Sequence, residues 1–269
     1  MKILSVNAGS SSLKFQLYEM PEEKVLISGL IERIGVENSF YTIKVNGKKI
    51  KKEVELNNHE EAFETLVKEL EENNVVESLD EIEGIGHRVV QGGDYFDKTV
   101  VIDDEVLAKI DELSSLAPLH NPAAVTGIKA AKDVFPNAVQ TAVFDTAFHQ
   151  TMPKENFLYA LPISWYTDLK VRRYGAHGTS HKFVSQRMNE ILKRDDTKII
   201  TCHIGNGASV SAVLNGKCVN TSMGLTPNAG LIMGTRCGDI DASIIPYVME
   251  KTNMSPKEID NAINKESGL

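Results

Sequence analysis

A strand–turn–strand pattern that occurs twice constrains the fold of this chain more than any other feature. The copies are ILSVNAGSSSLKFQL at residues 3–17 and IITCHIGNGASVSAV at residues 199–213. When Gly9 is aligned with Gly205, Asn7 matches His203. In both copies apolar residues flank a polar, glycine-containing turn, which is the pattern of a β-hairpin. Two such hairpins, each at the start of an α/β half, predict a duplicated fold with two similar lobes.

The two turns also suggest anion binding. Glycine exposes backbone N–H groups that form anion-binding nests, and serine hydroxyls add further donors. Lys14 adds a positive charge two residues beyond Ser12. One such turn alone is explained as well by a plain surface hairpin. Two turns facing a central cleft would form a two-sided phosphate clamp.

Strand and helix patterns follow one another along the rest of the chain, which predicts an α/β fold. Residues 59–72 carry apolar residues at helical spacing, whereas residues 150–175 have a loop-like pattern. Three further helices have recognisable starts: NPAAVTGIKAAKDVF, with Asn121 as N-cap and Pro122 at its first position; TSHKFVSQRMNEILKR, capped by Thr179 or Ser180; and SPKEIDNAINK, with a Ser255/Glu258 capping box.

Composition narrows the function classes. The chain has 269 residues, enough for two domains or one large one, and a net charge of −8. That charge disfavours non-specific nucleic-acid binding, so an anionic substrate would need a local cluster of cations. We expect no membrane partner and a cytoplasmic location, because the sequence shows neither a long apolar run nor a signal-peptide pattern. The three cysteines form no CxxC pair, which favours reduced thiols.

Several common catalytic motifs are absent from the sequence. It lacks GxxxxGK[ST], GxGxxG, the protein-kinase signatures and GxSxG. His177 and His181 are four residues apart, but no glutamate follows His177, so a zinc site is disfavoured.

Polar residues recur at strand ends and glycine turns. Taken singly, each has a structural explanation, such as an ion pair, a helix cap or a turn. Their repeated placement is what α/β folds use for binding groups. The segments and residues are GHRVVQGG with Arg88, PLHNPAA with His120, VFDTAFH with Asp145, RRYGAHGTSH with His177 and GLTPNAGLIMGTRCGDIDAS with Arg236.

Together, many separate segments resemble the acetate and propionate kinase family. They run in family order from residue 3 to near the chain end: NAGSSSLKF, GHRVVQGG, PLHNPA, VFDTAFHQTMP, RRYGAHGTSH, HIGNGAS and SMGLTP…GLIMGTRCGDID. The resemblance implies a duplicated ribonuclease-H-like fold of the actin-like ATPase (ASKHA) superfamily. It also implies an N-terminal domain at residues 1–150 and the first part of a second, incomplete domain at residues 151–269.

The resemblance further implies a reaction. ATP and acetate would give ADP and acetyl phosphate, reversibly, by direct in-line transfer with Mg²⁺ or Mn²⁺. Positioning and charge neutralisation dominate such transfers. A general base is unnecessary, because acetic acid is already ionised near neutral pH.

Residue roles carried over from the family fall into three groups. The phosphate loops would be Asn7, Ser10, Ser12 and Lys14, with Asn7 also at the metal, and His203, Gly205, Asn206 and Gly207. The catalytic residues would be Asp145, Arg88, Arg236 and His177, with the arginines bracketing the carboxylate and the transferring phosphoryl group. The acyl pocket would be lined by Arg88, Val90, Leu119, Ala176 and Pro227.

Two departures from the family change the expectations. Ala176 stands where the family has phenylalanine, which predicts a larger or poorly formed acyl pocket. Family members also continue well beyond the final NKESGL with most of the adenosine pocket and a glutamate near the metal. We therefore expect a truncated chain that binds ATP poorly and catalyses little, whereas the full-length protein would be a homodimer.

Four alternatives stay open at this point. The nearest is a propionate or butyrate kinase of the same family, which Ala176 keeps open. A catalytically inactive, truncated phosphate-binding fragment is the second. A sugar kinase of the same superfamily and a zinc hydrolase have less support.

Overall fold

A computed structural model describes residues 1–118 and 120–269, and these divide into two compact units. The first unit contains residues 1–92 and 98–144, and the second contains residues 93–97 and 145–269. Whether these units match domains at 1–150 and 151–269 stays a prediction.

The first unit is built on one mixed sheet of eight strands. Their order is β5-β4-β3-β2-β1-β6-β8-β7, in which β6 is parallel to β1 and β8 is parallel to β6. The strands are β1 (Lys2–Gly9), β2 (Ser12–Glu19), β3 (Lys24–Glu32), β4 (Phe40–Val45), β5 (Lys48–Glu53), β6 (Ile82–Val89), β7 (Val100–Val101) and β8 (Val139–Phe144).

The central order β3-β2-β1-β6-β8 confirms the predicted ribonuclease-H-like topology. Three antiparallel strands come first, and two parallel strands follow on the other side of β1. Alternation sets the faces of the hairpin: Leu4 pairs with Leu17 and Val6 with Phe15 on the buried face. The opposite face of β1 and β2 is therefore left to polar side chains.

The described residues of the first unit also form three α-helices: α1 (His59–Glu72), α2 (Asp104–Glu112) and α3 (Asn121–Val134). Helix α1 has the predicted bounds. The predicted cap of α3 is wrong, because His120 is the N-cap and Asn121 is already helical. The Asn121 amide instead donates to the carbonyl oxygens of Gln91 and Ile110, so it ties the helix to neighbouring segments.

The second unit contains a three-stranded antiparallel sheet of order β11-β10-β9 and five α-helices. The elements are α4 (Lys154–Phe157), α5 (Ile163–Leu169), α6 (Gly178–Leu192), β9 (Lys198–Ile204), β10 (Ala208–Leu214), β11 (Lys217–Thr221), α7 (Ile244–Thr252) and α8 (Pro256–Lys265). The loop expected at 150–175 is wrong, because α4 and α5 lie there. The capping box of α8 is confirmed.

The β9–β11 meander corresponds to β1–β3, as the duplicated pattern predicted. The turns differ in length, since Gly9 pairs with Ser12 across two residues and Ile204 pairs with Ala208 across three. None of the helices in the described part of the chain has the length and apolar character needed to cross a bilayer. The cysteines, Cys202, Cys218 and Cys237, are free thiols.

Candidate functional site

The first unit has a cavity of about 240 Å³ on the polar side of the β1–β2 hairpin. Most of the site residues predicted in this unit line it. The lining comprises Asn7, Ala8, Gly9, Ser12, Lys14, Leu30, Arg88, Val90, His120 and Ala124.

The hairpin register explains why these side chains meet. Asn7 lies directly opposite Lys14, and Gly9 lies opposite Ser12. Residues opposite one another in an antiparallel pair share a face of the sheet, so the amide, the hydroxyl and the ammonium group face the same side. Ser10 is exposed in the turn and does not line the cavity. Leu119, predicted for the acyl pocket, lies outside the described residues.

The end of β6 and the first turn of α3 close the cavity. Arg88 and Val90 are two residues apart around the end of β6, so they point to the same side. His120 and Ala124 come from the start of α3, where backbone N–H groups and the helix dipole favour an anion. With Lys14 and Arg88, the cavity suits a negatively charged group.

His59 holds the first turn, and sequence reasoning missed it. Its Nε2 lies 2.7 Å from the carbonyl oxygen of Gly9 and donates to it. A Cβ on Gly9 would lie 2.7 Å from Oγ of Ser12, so a larger residue there would displace that hydroxyl. No local motif marks His59, because its partner is fifty residues away in the sequence.

In the second unit, the backbone at the start of α6 places His177. His177 is the N-cap of α6 with a left-handed φ of 61°, so the predicted cap at Thr179 or Ser180 is wrong. The N–H of Gly178 donates to the carbonyl oxygen of Asp145 over 2.8 Å. A Cβ on Gly178 would lie 2.2 Å from that oxygen, so only glycine fits. Asp145 and His177 are thereby brought together.

The His177 ring is held by neighbours on two sides. It stacks on the ring of His203 with centroids 4.0 Å apart, and its Nδ1 lies 2.8 Å from Oγ of Ser209. His181 lies behind Ser209, with Nε2 2.7 Å from the same Oγ. Burial, and next the charges of nearby histidines, lowers the pKa of His181 to about 3, so this ring is neutral.

His149 supports the segment that precedes His177. Its Nε2 donates to the carbonyl oxygen of Ala176 over 3.1 Å, and its Nδ1 lies 3.2 Å from Sγ of Cys218. Burial lowers the pKa of His149 to about 4. The Ala176 side chain is buried in an apolar cluster with Ala208, Met223 and Met233. Its role in an acyl pocket stays a prediction.

The second glycine turn docks on the loop that carries Arg236. The N–H of Gly234 donates to the carbonyl oxygen of Asn206 over 3.1 Å. Nη1 of Arg236 donates to the carbonyl oxygen of Pro227 over 3.0 Å. A Cβ on Gly207 would lie 3.3 Å from that Nη1. Burial lowers the pKa of Arg236, but a guanidinium group remains charged at neutral pH.

The predicted residues therefore form two groups, one in each unit. The cavity gathers Asn7, Ser12, Lys14, Arg88 and Val90, and the second unit gathers Asp145, His177, His203, Gly205, Asn206, Gly207, Pro227 and Arg236. Sequence reasoning missed His149, Thr201 and Ser209, and considered His181 only as a zinc ligand. For Thr201 and Ser209 the signal is an alternation of small polar residues along β9 and β10, which also suits an ordinary buried sheet.

Comparison with known proteins decides the family. The sequence profile of the acetokinase family matches residues 2–269. The chain belongs to the acetokinase family. Among curated members, the acetate kinase of Macrococcus caseolyticus is 55% identical over the whole chain, which spans 68% of that relative.

Solved structures of acetokinase-family proteins have the same fold. An acetate kinase from Porphyromonas gingivalis superposes with a TM-score of 0.94 at 45% identity, covering 99% of this chain and 68% of its own. A propionate kinase from Francisella tularensis superposes with a TM-score of 0.95 at 46% identity, again covering 99% of this chain and 68% of its own. These likenesses confirm the predicted fold class.

Proposed function

We propose that this acetokinase-family chain belongs to an acetate kinase, which phosphorylates acetate with ATP to give acetyl phosphate and ADP, reversibly. The observation that carries the proposal is the family match over residues 2–269. The cationic cavity on the first of two duplicated hairpins supports it, because an enzyme with two anionic substrates needs such a surface.

In the proposed reaction, a carboxylate oxygen of acetate attacks the γ-phosphorus of ATP. The bond from that phosphorus to the bridging oxygen breaks, and the electron pair leaves with ADP. Arg88 and Arg236 would neutralise the carboxylate and the transferring group, for which planar guanidinium forks are well suited. His177 would donate to a phosphoryl oxygen, and Asp145 would orient these groups.

A divalent cation, Mg²⁺ or Mn²⁺, fits the first unit as an ion shared with substrate. Across the residues that the structure describes, no group of three or more His, Cys, Asp or Glu side chains is placed to hold a metal. Mg²⁺ needs few protein ligands, since it keeps waters and binds substrate phosphates. The side-chain oxygen of Asn7, which lines the cavity, would hold it. When bound, the ion would neutralise phosphate charge.

The test is formation of acetyl phosphate, trapped as the hydroxamate, with ATP, Mg²⁺ and acetate. We expect weak turnover that falls at least 100-fold in Arg88→Ala, because a charged donor to the transition state is lost. Arg194→Ala is the control, since Arg194 is exposed and pairs with exposed Asp196. A folded chain with no turnover above Arg88→Ala would contradict the proposal and favour an inactive phosphate-binding fragment.

Propionate is the second candidate substrate. The propionate kinase from Francisella tularensis is as similar to this chain as the solved acetate kinase, and Ala176 favours a larger acyl group. The test compares kcat/KM for acetate, propionate and butyrate before and after Ala176→Phe. A lost apolar contact shifts such discrimination by about 1–3 kcal/mol. An unchanged ratio would exclude Ala176 as a specificity residue.

We also propose a homodimer for the full-length protein and a cytoplasmic location. The support for both is the family resemblance. As a separate point, the net charge of −8 disfavours nucleic acid as a partner. Light scattering after size-exclusion chromatography tests the oligomeric state, and cell fractionation tests the location.

A further inference from the structure

The second unit contains a chain of buried hydrogen bonds that the proposed reaction does not use directly. It runs from His177 through Ser209 and His181 to Thr201. Nδ1 of His181 lies 2.7 Å from Oγ1 of Thr201, and the steps from Ser209 to His177 and to His181 are 2.8 Å and 2.7 Å. Ser209 is 0% exposed, His181 1% and Thr201 3%, so water does not compete for these bonds.

The direction of the bonds follows from the far end of the chain. The Thr201 hydroxyl lies 3.4 Å from the carbonyl oxygen of Ser211, which can only accept a hydrogen bond. A hydroxyl has one hydrogen, so Thr201 uses it there and accepts from Nδ1 of His181. His181 is neutral, as its surroundings require, so its hydrogen is on Nδ1 and its Nε2 is an acceptor.

The same reasoning carries the direction to His177. Because Nε2 of His181 accepts, the Ser209 hydroxyl donates to it. The Ser209 oxygen is then left to accept, and the group it faces is Nδ1 of His177. The His177 hydrogen is therefore held on Nδ1.

We propose that Ser209, fixed by His181 and Thr201, is a positioning residue that keeps a hydrogen on Nδ1 of His177 and directs the opposite edge of that ring to the transferring phosphoryl group, to which the ring, when also protonated on Nε2, donates. This inference rests on the proposed kinase function. Stacking on His203 fixes the plane of the ring, and Ser209 fixes its rotation within that plane.

The location of the opposite edge supports this assignment. A Cβ on Gly207, in the second glycine turn, would lie 3.6 Å from both Cε1 and Nε2 of His177. Nη1 of Arg236 borders the same small space. Without the Ser209 hydroxyl, the ring could turn and take the other tautomer, and the transition-state contact would be misplaced.

The first measurement is the tautomer of His177 in the 269-residue chain. ¹⁵N shifts and two-bond couplings of ¹⁵N-histidine-labelled protein report it, at a pH where the ring is neutral, and His177→Gln assigns the signals. We expect the Nδ1–H form. An Nε2–H form would overturn the proposal without any variant being needed.

Variants then separate positioning from a general structural role. Ser209→Ala is compared with Ser211→Ala, because Ser211 is also fully buried on β10 but its hydroxyl pairs with Thr221 over 2.8 Å. We expect only Ser209→Ala to change the His177 tautomer and to lower kcat about 100-fold at nearly constant KM. Ser209→Thr, which keeps the hydroxyl, should restore both.

The two proposals fail in different ways. Equal tautomer populations in Ser209→Ala and Ser211→Ala would refute the role of Ser209. If the protein makes no acetyl phosphate, its proposed kinase activity is refuted. The His177 tautomer would still show whether Ser209 holds the hydrogen on Nδ1 of His177.

Discussion

Gly207 lies close to the side chains of two predicted catalytic residues, Arg236 and His177. A Cβ there would lie 3.3 Å from Nη1 of Arg236 and 3.6 Å from Nε2 of His177. We expect Gly207→Ala to lower kcat about tenfold, because the added methyl group displaces the groups that meet the phosphoryl group. The melting temperature should change little, since the ends of long side chains can move. The hydroxamate assay and thermal unfolding measure both effects.

Gly86→Ala is the matched control for this prediction. A Cβ on Gly86 would meet only Oγ1 of Thr141, at 3.8 Å, which is ordinary contact. Full activity in Gly207→Ala would show that the reaction does not need the space beside Arg236.

Among the elements, helix α1 is tied to the sheet by one buried carboxylate. Glu69 accepts hydrogen bonds from the Tyr41 hydroxyl on β4 and from Nζ of Lys52 on β5, which lies 2.9 Å away. Tyr41 and Lys52 are opposite one another in the sheet, so one residue clamps two strands. Burial raises the pKa of Glu69, but the bonds from Tyr41 and Lys52 outweigh it and the pKa is lowered.

We expect Glu69→Ala to lower the free energy of unfolding by about 2–3 kcal/mol, because it leaves the buried Tyr41 hydroxyl without its acceptor. Glu72→Ala is the control on the same helix. Glu72 also pairs with Lys52, at 3.7 Å, but its side chain is half exposed, so the loss should be below about 1 kcal/mol. Urea unfolding followed by circular dichroism compares them, and equal losses would contradict the clamp.

Local patterns predicted the elements well and their ends less well. The β1–β2 hairpin and α1 depend on alternation and helical spacing within a short segment, so the sequence contains their signal. The starts of α3 and α6 depend on distant partners. Asn121 bonds to Gln91 and Ile110, and His177 adopts a left-handed conformation because Gly178 packs on Asp145. No window around either helix contains that information.

The candidate site divides in the same way. Asn7, Ser12, Lys14 and Arg88 follow from strand register and strand ends, and the structure gathers them at one cavity. His59 and Ser209 become visible only when remote segments meet. Side chains whose role follows from their position along a strand can therefore be predicted from the sequence. Side chains that hold another residue in place, and that come from a remote segment, cannot.

For the whole molecule, buried histidines predict that acid unfolds the two units unequally. Burial lowers the pKa of His87 and His149 to about 4 and that of His181 to about 3. His87 lies in the first unit, and the other two lie in the second. An unfolded histidine titrates near 6.5, so below that pH these histidines bind protons in the unfolded state but stay unprotonated in the folded state. Stability is therefore lost as the pH falls from about 6.5 toward 4.

Each histidine that stays unprotonated in the folded state lowers the free energy of unfolding by about 1.4 kcal/mol for each pH unit of acidification within that range. The second unit should therefore lose stability about twice as steeply as the first, at about 2.8 kcal/mol per pH unit. The single tryptophan, Trp165, lies in α5 and reports the second unit, whereas far-ultraviolet circular dichroism reports both. Urea unfolding between pH 7.5 and 5 separates the slopes, because carboxylates titrate mostly below this range. His87→Gln should reduce the pH dependence of stability measured by circular dichroism and leave the pH dependence measured by tryptophan fluorescence unchanged. If the fluorescence-detected pH dependence falls as well, the two units unfold together.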